Sequence, residues 1–324
     1  MQEIKIADDL GILEFIGNTP LVPLNRVFAD SKVHLYGKLE MFNPGGSIKD
    51  RTAYAIIKNA LDRGIVNRST TIIESTSGNM GIGLARICHF FGLRLILVTD
   101  PHINALSTSI LKTFKAEIVT VDKHDGKGGY LNTRLAKVQE LLKEIPNSFW
   151  TDQYHNMDSP LAHEQTFLEI RDSLGKAPDY IFISTSTCGT LRGFGDAIVK
   201  HKAHTKIIAI DAVGSLIFGH EPQKRIIPGM GASRASSFLI PEQVYEVMWI
   251  SDRQSVQGCH HLLKTESILV GGSSGAIVKA LETKINDLPD AATVVAIFAD
   301  NGERYLNTIY SDAWIKQHFT SLTL

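Results

Sequence analysis

Lys49 lies in the run Asn43-Pro44-Gly45-Gly46-Ser47-Ile48-Lys49-Asp50-Arg51. There Pro44 and two glycines set a turn, and Ser47 is the expected N-cap of a helix continuing through Ile57. That spacing puts Lys49 in a first helical turn, beside unpaired N–H groups and the positive end of the helix dipole. A lysine held there and partly desolvated has its pKa lowered, and a neutral amine can attack a carbonyl to form a Schiff base. A solvated lysine at an ordinary helix start is the plain alternative, which these nine residues alone favour and the later motifs reverse.

Three later stretches carry unusual residues where a strand is expected to meet a helix. Ser75-Thr76-Ser77-Gly78-Asn79-Met80-Gly81 offers hydroxyls, backbone N–H groups and one amide at a helix start, a set suited to a carboxylate. A generic cap with glycine for close packing reads equally well in isolation. Ser184-Thr185-Ser186-Thr187-Cys188-Gly189-Thr190-Leu191-Arg192-Gly193 lets the backbone close on a single phosphate monoester. It matches neither the Walker A pattern nor Gly-x-Gly-x-x-Gly. No histidine stands beside Cys188 in sequence, so it reads as a small loop residue rather than a nucleophile. Val270-Gly271-Gly272-Ser273-Ser274-Gly275-Ala276 presents a corner hydroxyl able to hydrogen-bond a ring nitrogen without donating a full proton, although Gly-Ser corners are common.

The elements that must position these residues alternate. Strands are expected at 33–40, 71–74, 95–99, 117–121, 180–183, 206–210, 244–250 and 294–298. Helices fall between them, near 81–92, 103–115, 130–144, 189–201, 256–264 and 275–285. Such alternation predicts parallel sheets with helices on both faces, where ligands sit outside the carboxyl ends of the strands. Two sheets are expected, with the chain crossing near 146–158, where Pro146, Asn147 and Pro160 cluster.

Bulk properties exclude several classes. The chain has 324 residues, enough for two domains, with 44% hydrophobic and 21% charged residues, as in an ordinary globular protein. A net charge of 33 − 34 = −1 advertises no nucleic-acid or anionic-membrane partner. Cys88, Cys188 and Cys259 show no paired spacing, which fits a reducing cytoplasm, and the first nine residues lack the pattern of a signal peptide. No apolar run approaches the roughly 18 residues of a membrane span. The twelve histidines, His260-His261 included, show no metal-ligand pattern, so no metal is expected.

The lysine turn, the amide-bearing carboxylate loop, the phosphate loop and the corner serine, in that order, resemble the fold-type II pyridoxal-phosphate enzymes of the cysteine synthase group. The resemblance runs from Ile16-Gly17-Asn18-Thr19-Pro20-Leu21 to Gly302-Glu303-Arg304-Tyr305-Leu306. It implies an α/β fold of two three-layer domains with mostly parallel sheets, like tryptophan synthase β. A small mobile domain over 39–154 would carry the substrate carboxylate loop, and 1–38 with 155–324 would form a large cofactor-binding domain. It also implies pyridoxal 5'-phosphate, with Lys49 bound to the cofactor aldehyde and later acting as base at the substrate Cα. Asn79 would meet the ring oxygen. Ser186, Thr187, Cys188, Gly189 and Thr190 would hold the phosphate, and Ser273 would face the pyridine nitrogen. Ser75, Thr76, Ser77 and Gln153 would grip the substrate α-carboxylate. A neutral serine leaves the ring nitrogen unprotonated and weakens the electron sink, which suits loss of a β-substituent over racemisation or transamination. The implied reaction is β-replacement.

Two departures bear on the substrate. Cysteine synthases usually carry Gly-Thr-Gly-Gly-Thr where this chain has Ser186-Thr187-Cys188-Gly189-Thr190, and Gly-Pro-Glu-Ile within Thr166-Phe167-Leu168-Glu169-Ile170. The sequence is most similar to the branch that makes N-(2-amino-2-carboxyethyl)-L-glutamate from O-phospho-L-serine and L-glutamate. That branch feeds 2,3-diaminopropionate into siderophores such as staphyloferrin B and into peptide antibiotics. The shared stretches are Asn43–Ser47, Gly128-Gly129-Tyr130-Leu131-Asn132-Thr133-Arg134, Asp152-Gln153-Tyr154, Ser186-Thr187 and Pro228-Gly229-Met230-Gly231-Ala232-Ser233-Arg234. A phosphate leaving group and a dicarboxylate nucleophile need cationic or hydroxyl partners that sulfide does not. Arg134, Tyr154 and Ser186 are the candidates, with Arg134 resembling the branch's substrate-binding arginine and Arg234 second. From periodicity alone Arg134 could equally be a solvated residue of helix 130–144. A plain cysteine synthase using O-acetylserine or O-phosphoserine is the alternative. A homodimer and a pathway partner, an NAD-dependent dehydrogenase releasing 2,3-diaminopropionate, follow from the resemblance. A nicotinamide-binding oxidoreductase lacks its fingerprint here.

Overall fold

Aliphatic and β-branched runs such as Thr71-Ile72-Ile73 and Leu95–Val98 have no polar face to show to water, so they pair side by side with helices above and below. The structure, a computed structural model, describes residues 10–124, 129–319 and 322. The first nine residues, on which the signal-peptide reading rests, and Gly128 of the shared stretch lie outside them. In chain order the elements are β1 (Leu21–Pro23), β2 (His34–Leu39), α1 (Lys49–Asp62), β3 (Thr71–Ser75), α2 (Asn79–Phe91), β4 (Arg94–Thr99), α3 (Ala105–Thr113), β5 (Glu117–Thr120), α4 (Leu131–Glu144) and β6 (Ser148–Trp150). They continue as α5 (Asp158–Leu174), β7 (Tyr180–Ser184), α6 (Gly189–Lys200), β8 (Lys206–Ala212), β9 (Glu246–Ile250), α7 (Asp252–Glu266), α8 (Gly272–Lys284), β10 (Thr293–Phe298) and α9 (Asp312–His318).

The chain divides into two units. One holds the described residues up to Ile16 together with Asn43–Ser159, and the other holds Gly17–Phe42 with Pro160 onward. The first contains a parallel four-stranded sheet in the order β5-β4-β3-β6. Alternate side chains of its strands enter opposite cores. Ile72, Leu95 and Leu97 join α1, α2 and α3, while Ile73, Ile96 and Val98 pack with Val138 and Leu141 of α4. Its partner unit contains a six-stranded sheet, β1-β2-β10-β7-β8-β9, in which only the edge strand β1 runs antiparallel. Phe182, Ile208 and Ile210 face the core formed with α7, α8 and α9. A mostly parallel α/β fold is what the alternation predicts.

Three expectations need correction. Ser47 is not the N-cap of α1. Ile48 holds that position with helical dihedrals already in place, while Ser47 Oγ accepts only a long hydrogen bond, 3.3 Å, from the Lys49 N–H. Val270 ends no strand. It forms a single antiparallel bridge with Asn301, and α8 starts at Gly272 after an extended Gly271. The chain does pass from one unit to the other at Ser159–Pro160, but inside a helix and not a loop, with Pro160 in the first turn of the 17-residue α5, where its missing N–H leaves no helical bond unmade.

Among the described residues, no helix is long and apolar enough to cross a membrane. In the second unit α7 and α8 touch backbone to backbone, because Gly258 faces Gly275. A Cβ on Gly258 would lie 1.9 Å from the Gly275 carbonyl oxygen. Gly258→Ala is therefore expected to destabilise this unit by roughly 1–3 kcal/mol through overpacking, read as a lower urea midpoint. An unchanged midpoint would contradict the contact.

Candidate functional site

Lys49 is the first residue of α1, half-buried, and the turn that delivers it is fixed from behind by Asp50. The Asp50 side chain is 1% exposed, and its carboxylate accepts the Gly45 N–H. A Cβ on Gly45 would fall 2.3 Å from Asp50 Oδ1, so glycine there is a matter of space. Gly46 closes the turn at φ +82, donating its N–H to the Asn43 carbonyl at 2.7 Å. Gly83 of α2 lets that helix approach. A Cβ there would sit 3.1 Å from Asp50 Oδ1 and 3.3 Å from the Lys49 carbonyl.

In the same unit β3 hands over to α2 through Thr76–Gly78, with Asn79 the first, half-buried residue of the helix. Thr76 Oγ accepts the Gly78 N–H at 3.2 Å, which bends the loop toward the helix N-terminus. Ser75 and Thr76 are buried and Ser77 is half-buried. The structure brings Arg134 to this loop. Its Nη1 donates to Ser77 Oγ at 2.7 Å and stands 3.1 Å from Asp100 Oδ2, while Ser77 Oγ donates to the same Asp100 oxygen at 2.8 Å. Arg134 is thus a partly buried residue with a carboxylate partner rather than a solvated one. Its Nε is buried without a hydrogen-bond partner among the described residues.

Gln153 also arrives here, 7% exposed, its Nε2 donating to the Ser75 carbonyl at 3.4 Å. Tyr154 follows it, half-buried. The residue that organises this corner is one that motif reading passes over. Glu74, at the carboxyl end of β3 and 1% exposed, accepts the Ser75 N–H at 2.7 Å on Oε1. Its Oε2 takes the Thr151 hydroxyl at 2.5 Å and the Gln153 N–H at 3.2 Å. Burial pushes its carboxyl up to about 7, against the lowering effect of these hydrogen bonds, and the charge of Asp152 adds to the rise. The signal was a charged residue closing an otherwise apolar, β-branched strand.

In the second unit β7 leads through Thr185–Thr187 into α6, whose N-cap is Cys188 in the left-handed conformation, φ +64. That geometry costs a residue with a Cβ about 1 kcal/mol or more, and it falls where the cysteine synthases carry glycine. Thr187 Oγ accepts the Gly189 N–H at 3.4 Å, Ser236 Oγ donates to the Thr187 carbonyl at 2.6 Å, and Thr190 Oγ1 lies 3.3 Å from the buried His163 Nε2. No acidic side chain lies within 185–190, so a helix N-terminus with four hydroxyl residues is suited to an anion, with no carboxylate of its own to compete. Loop 228–234 is held against this one, with the Gly231 N–H donating to the Thr185 carbonyl at 2.7 Å. Ser186 Oγ lies 3.5 Å from the Gly231 carbonyl, and Arg234 is half-buried three residues on.

Ser273, 5% exposed, is the second residue of α8, and its hydroxyl hydrogen-bonds no other described residue. Asp300 supports this helix start, its carbonyl accepting the Gly271 N–H at 3.2 Å and its carboxylate the Tyr305 hydroxyl at 2.6 Å. Burial and the neighbouring Asp300 raise the Tyr305 hydroxyl well above its usual range. Neither Asp300 nor Tyr305 stood out in sequence. Among the described residues no cluster of His, Cys, Asp and Glu could hold a metal. The three cysteines are buried and form no disulfide.

The family model for pyridoxal-phosphate dependent enzymes matches residues 12–300, and the chain belongs to that family. Solved structures agree. O-acetylserine sulfhydrylase isoform 3 from Entamoeba histolytica is 32% identical, covering 94% of this chain and 92% of its own, with a TM-score of 0.86. O-acetylserine-dependent cystathionine β-synthase from Helicobacter pylori is 29% identical, with coverage of 94% and 100% and a TM-score of 0.86. A hydrogen sulfide-producing enzyme from Fusobacterium nucleatum is 29% identical, with coverage of 93% and 99% and a TM-score of 0.85. The cofactor is pyridoxal phosphate and the chemistry is that of the β-replacement synthases.

Glu74 gives this unit a signed pH dependence. Its carboxyl is neutral in both states below about 4.5. Between about 4.5 and 7 the folded chain keeps the proton that the unfolded chain loses, so stability falls as pH rises through that window, by on the order of 3 kcal/mol. Glu74→Gln should remove that part of the fall, seen as a smaller difference between urea midpoints at pH 5 and pH 8. An identical difference in the variant would contradict the assignment.

Proposed function

We propose that this pyridoxal-phosphate enzyme replaces the phosphate of O-phospho-L-serine with the amino group of L-glutamate, giving N-(2-amino-2-carboxyethyl)-L-glutamate. The observation that carries the reading is Arg134, 16% exposed and hydrogen-bonded to Ser77 beside the carboxylate loop. Asp100 and Ser77 engage only Nη1. Nε is a buried donor with no hydrogen-bond partner among the described residues, a group that a bound anion would satisfy. Sulfide has no such group.

By their chemistry these residue types suit the cofactor's functional groups. Lys49 would bind the aldehyde, Asn79 the ring oxygen, Ser186, Thr187, Cys188, Gly189 and Thr190 the phosphate, and Ser273 the pyridine nitrogen. The buried, unengaged Ser273 hydroxyl and the acid-free phosphate loop support that set. When bound, the cofactor supplies an electron sink for the substrate Cα. Lys49 would then move the Cα proton, and the turn braced by Asp50 fixes the backbone at the start of α1 that carries it. Ser75, Thr76, Ser77 and Gln153 would hold the α-carboxylate. Arg134, with Tyr154 and Ser186, would hold the leaving phosphate or the carboxylates of the nucleophile, and Arg234 stands second to them. A homodimer, a cytoplasmic setting and a dehydrogenase acting on the product belong to the same reading, as does a mobile small domain over 39–154.

The test is product analysis. Holoenzyme given O-phospho-L-serine and L-glutamate is expected to release phosphate and the coupled diacid, whereas cysteine formed only from O-acetyl-L-serine and sulfide would overturn the proposal. Lys49→Ala should abolish turnover, losing both the covalent partner and the base. Arg134→Met should lower kcat/KM for O-phospho-L-serine by roughly 10- to 100-fold, the loss of a charge-assisted hydrogen bond. Its effect on O-acetyl-L-serine should stay within about threefold, and equal losses on both substrates would remove Arg134 from this role.

A further inference from the structure

We infer that Glu74 is the positioning residue for the substrate α-carboxylate, clamping the Ser75–Ser77 loop to the Gln153 segment. The inference rests on the proposal above that these two segments grip the carboxylate. Ser75 and Gln153 are 78 residues apart in sequence, and each segment contributes donors that matter only if they converge.

The geometry of convergence centres on one side chain. Oε1 of Glu74 holds the N–H of Ser75, the residue that opens the loop, and Oε2 holds the Gln153 N–H and the Thr151 hydroxyl. Between the latter two, Asp152 turns at φ +41, a left-handed bend that lets residues 151 and 153 address the same carboxylate oxygen. A second tie runs the other way, from Gln153 Nε2 to the Ser75 carbonyl at 3.4 Å, and the Thr151 N–H donates to the Ile73 carbonyl at 3.2 Å. Parallel pairing of β3 with β6 ends at Ile73 and Trp150. Beyond that register the sheet no longer holds the two chains together, and the Glu74 carboxylate with the Gln153 side chain does. No lysine, arginine or histidine pairs with Glu74 among the described residues, so it is no ordinary ion pair. Its three donors are two backbone N–H groups and one hydroxyl. A carboxylate is the side chain that can accept all three at once.

Such a clamp acts through Ser75 and Gln153, so its loss should be felt only by ligands that carry the carboxylate. Holoenzyme titrated with L-serine and, separately, with ethanolamine, which lacks the carboxylate, reads this directly from the cofactor's visible absorbance. Wild type is expected to bind L-serine at least roughly 10-fold more tightly than ethanolamine. Glu74→Met should bring the two within about threefold, with cofactor content and ethanolamine affinity unchanged. Glu74→Gln, which still accepts one N–H and offers a donor to Thr151, should recover part of the preference. Thr151→Val, a milder change that leaves Glu74 in place, should weaken L-serine alone by a few-fold and keeps the test open if Glu74→Met does not fold. A Glu74→Met or Thr151→Val enzyme that prefers L-serine as strongly as wild type would overturn the inference. A wild type that fails to prefer L-serine would instead remove the carboxylate-loop reading beneath it, and the inference with it.

Discussion

Two buried carboxylates hold the backbone of the candidate-site loops in the first unit. Glu74, where the β3–β6 ladder ends, accepts the Ser75 and Gln153 N–H groups, and Asp50, inside α1, accepts the Gly45 N–H of the turn before that helix. Carboxylates suit the task because they accept several donors at once and accept them strongly. The same burial that makes them effective makes ionisation costly, and Glu74 is accordingly pushed up to about 7. Without Asp50 the lysine turn would lose its brace. Without Glu74, Ser75 and Gln153 would have only one long side-chain bond between them.

The second unit solves the same problem by close approach. Glycines at 258 and 275 let α7 and α8 meet, Cys259 Sγ reaches the Gly271 carbonyl at 3.4 Å, and Asp300 pins the N–H of Gly271, so Ser273 is presented by a helix start with little freedom. At α6 the backbone itself is bent, with Cys188 adopting the left-handed geometry that glycine enters freely. The neighbouring loop 228–234 and Ser236 supply hydrogen bonds that hold this turn. Deeper in the unit, Lys38 on β2 donates to Glu169 of α5 and to the Thr19 carbonyl, both at 2.6 Å, with Lys38 only 1% exposed. Removing one member of such a buried pair costs about 3–5 kcal/mol.

Much of the fold was legible because apolar runs and glycine-marked corners report burial directly. Strands β3, β4, β7, β8 and β10 and helices α2, α4 and α6 stand within a few residues of their predicted spans. What escaped the sequence had local signals overridden or diluted. Helix α5 was hidden by a proline that its first turn tolerates. The start of α7 carried a capping box, Ser251 with Gln254, that periodicity placed four residues late. Ser47 looked like a cap because its type favours one, yet Ile48 was already helical. Polar partners were the least legible. Nothing local in Glu74, Asp100 or Glu169 reveals a donor 23 to 131 residues away, since the packing of strands, loops and helices creates those pairs. Arg134 was visible as a residue but not as a contact, because periodicity cannot distinguish a solvated helix face from one turned toward a loop.

Everything about the proposed chemistry presumes that the amine at the start of α1 carries the cofactor. Reduction of the holoenzyme with borohydride, followed by peptide mapping, asks that directly. One modified peptide is expected, bearing the reduced cofactor on Lys49. Modification of a different lysine, with Lys49 recovered unmodified, would contradict it.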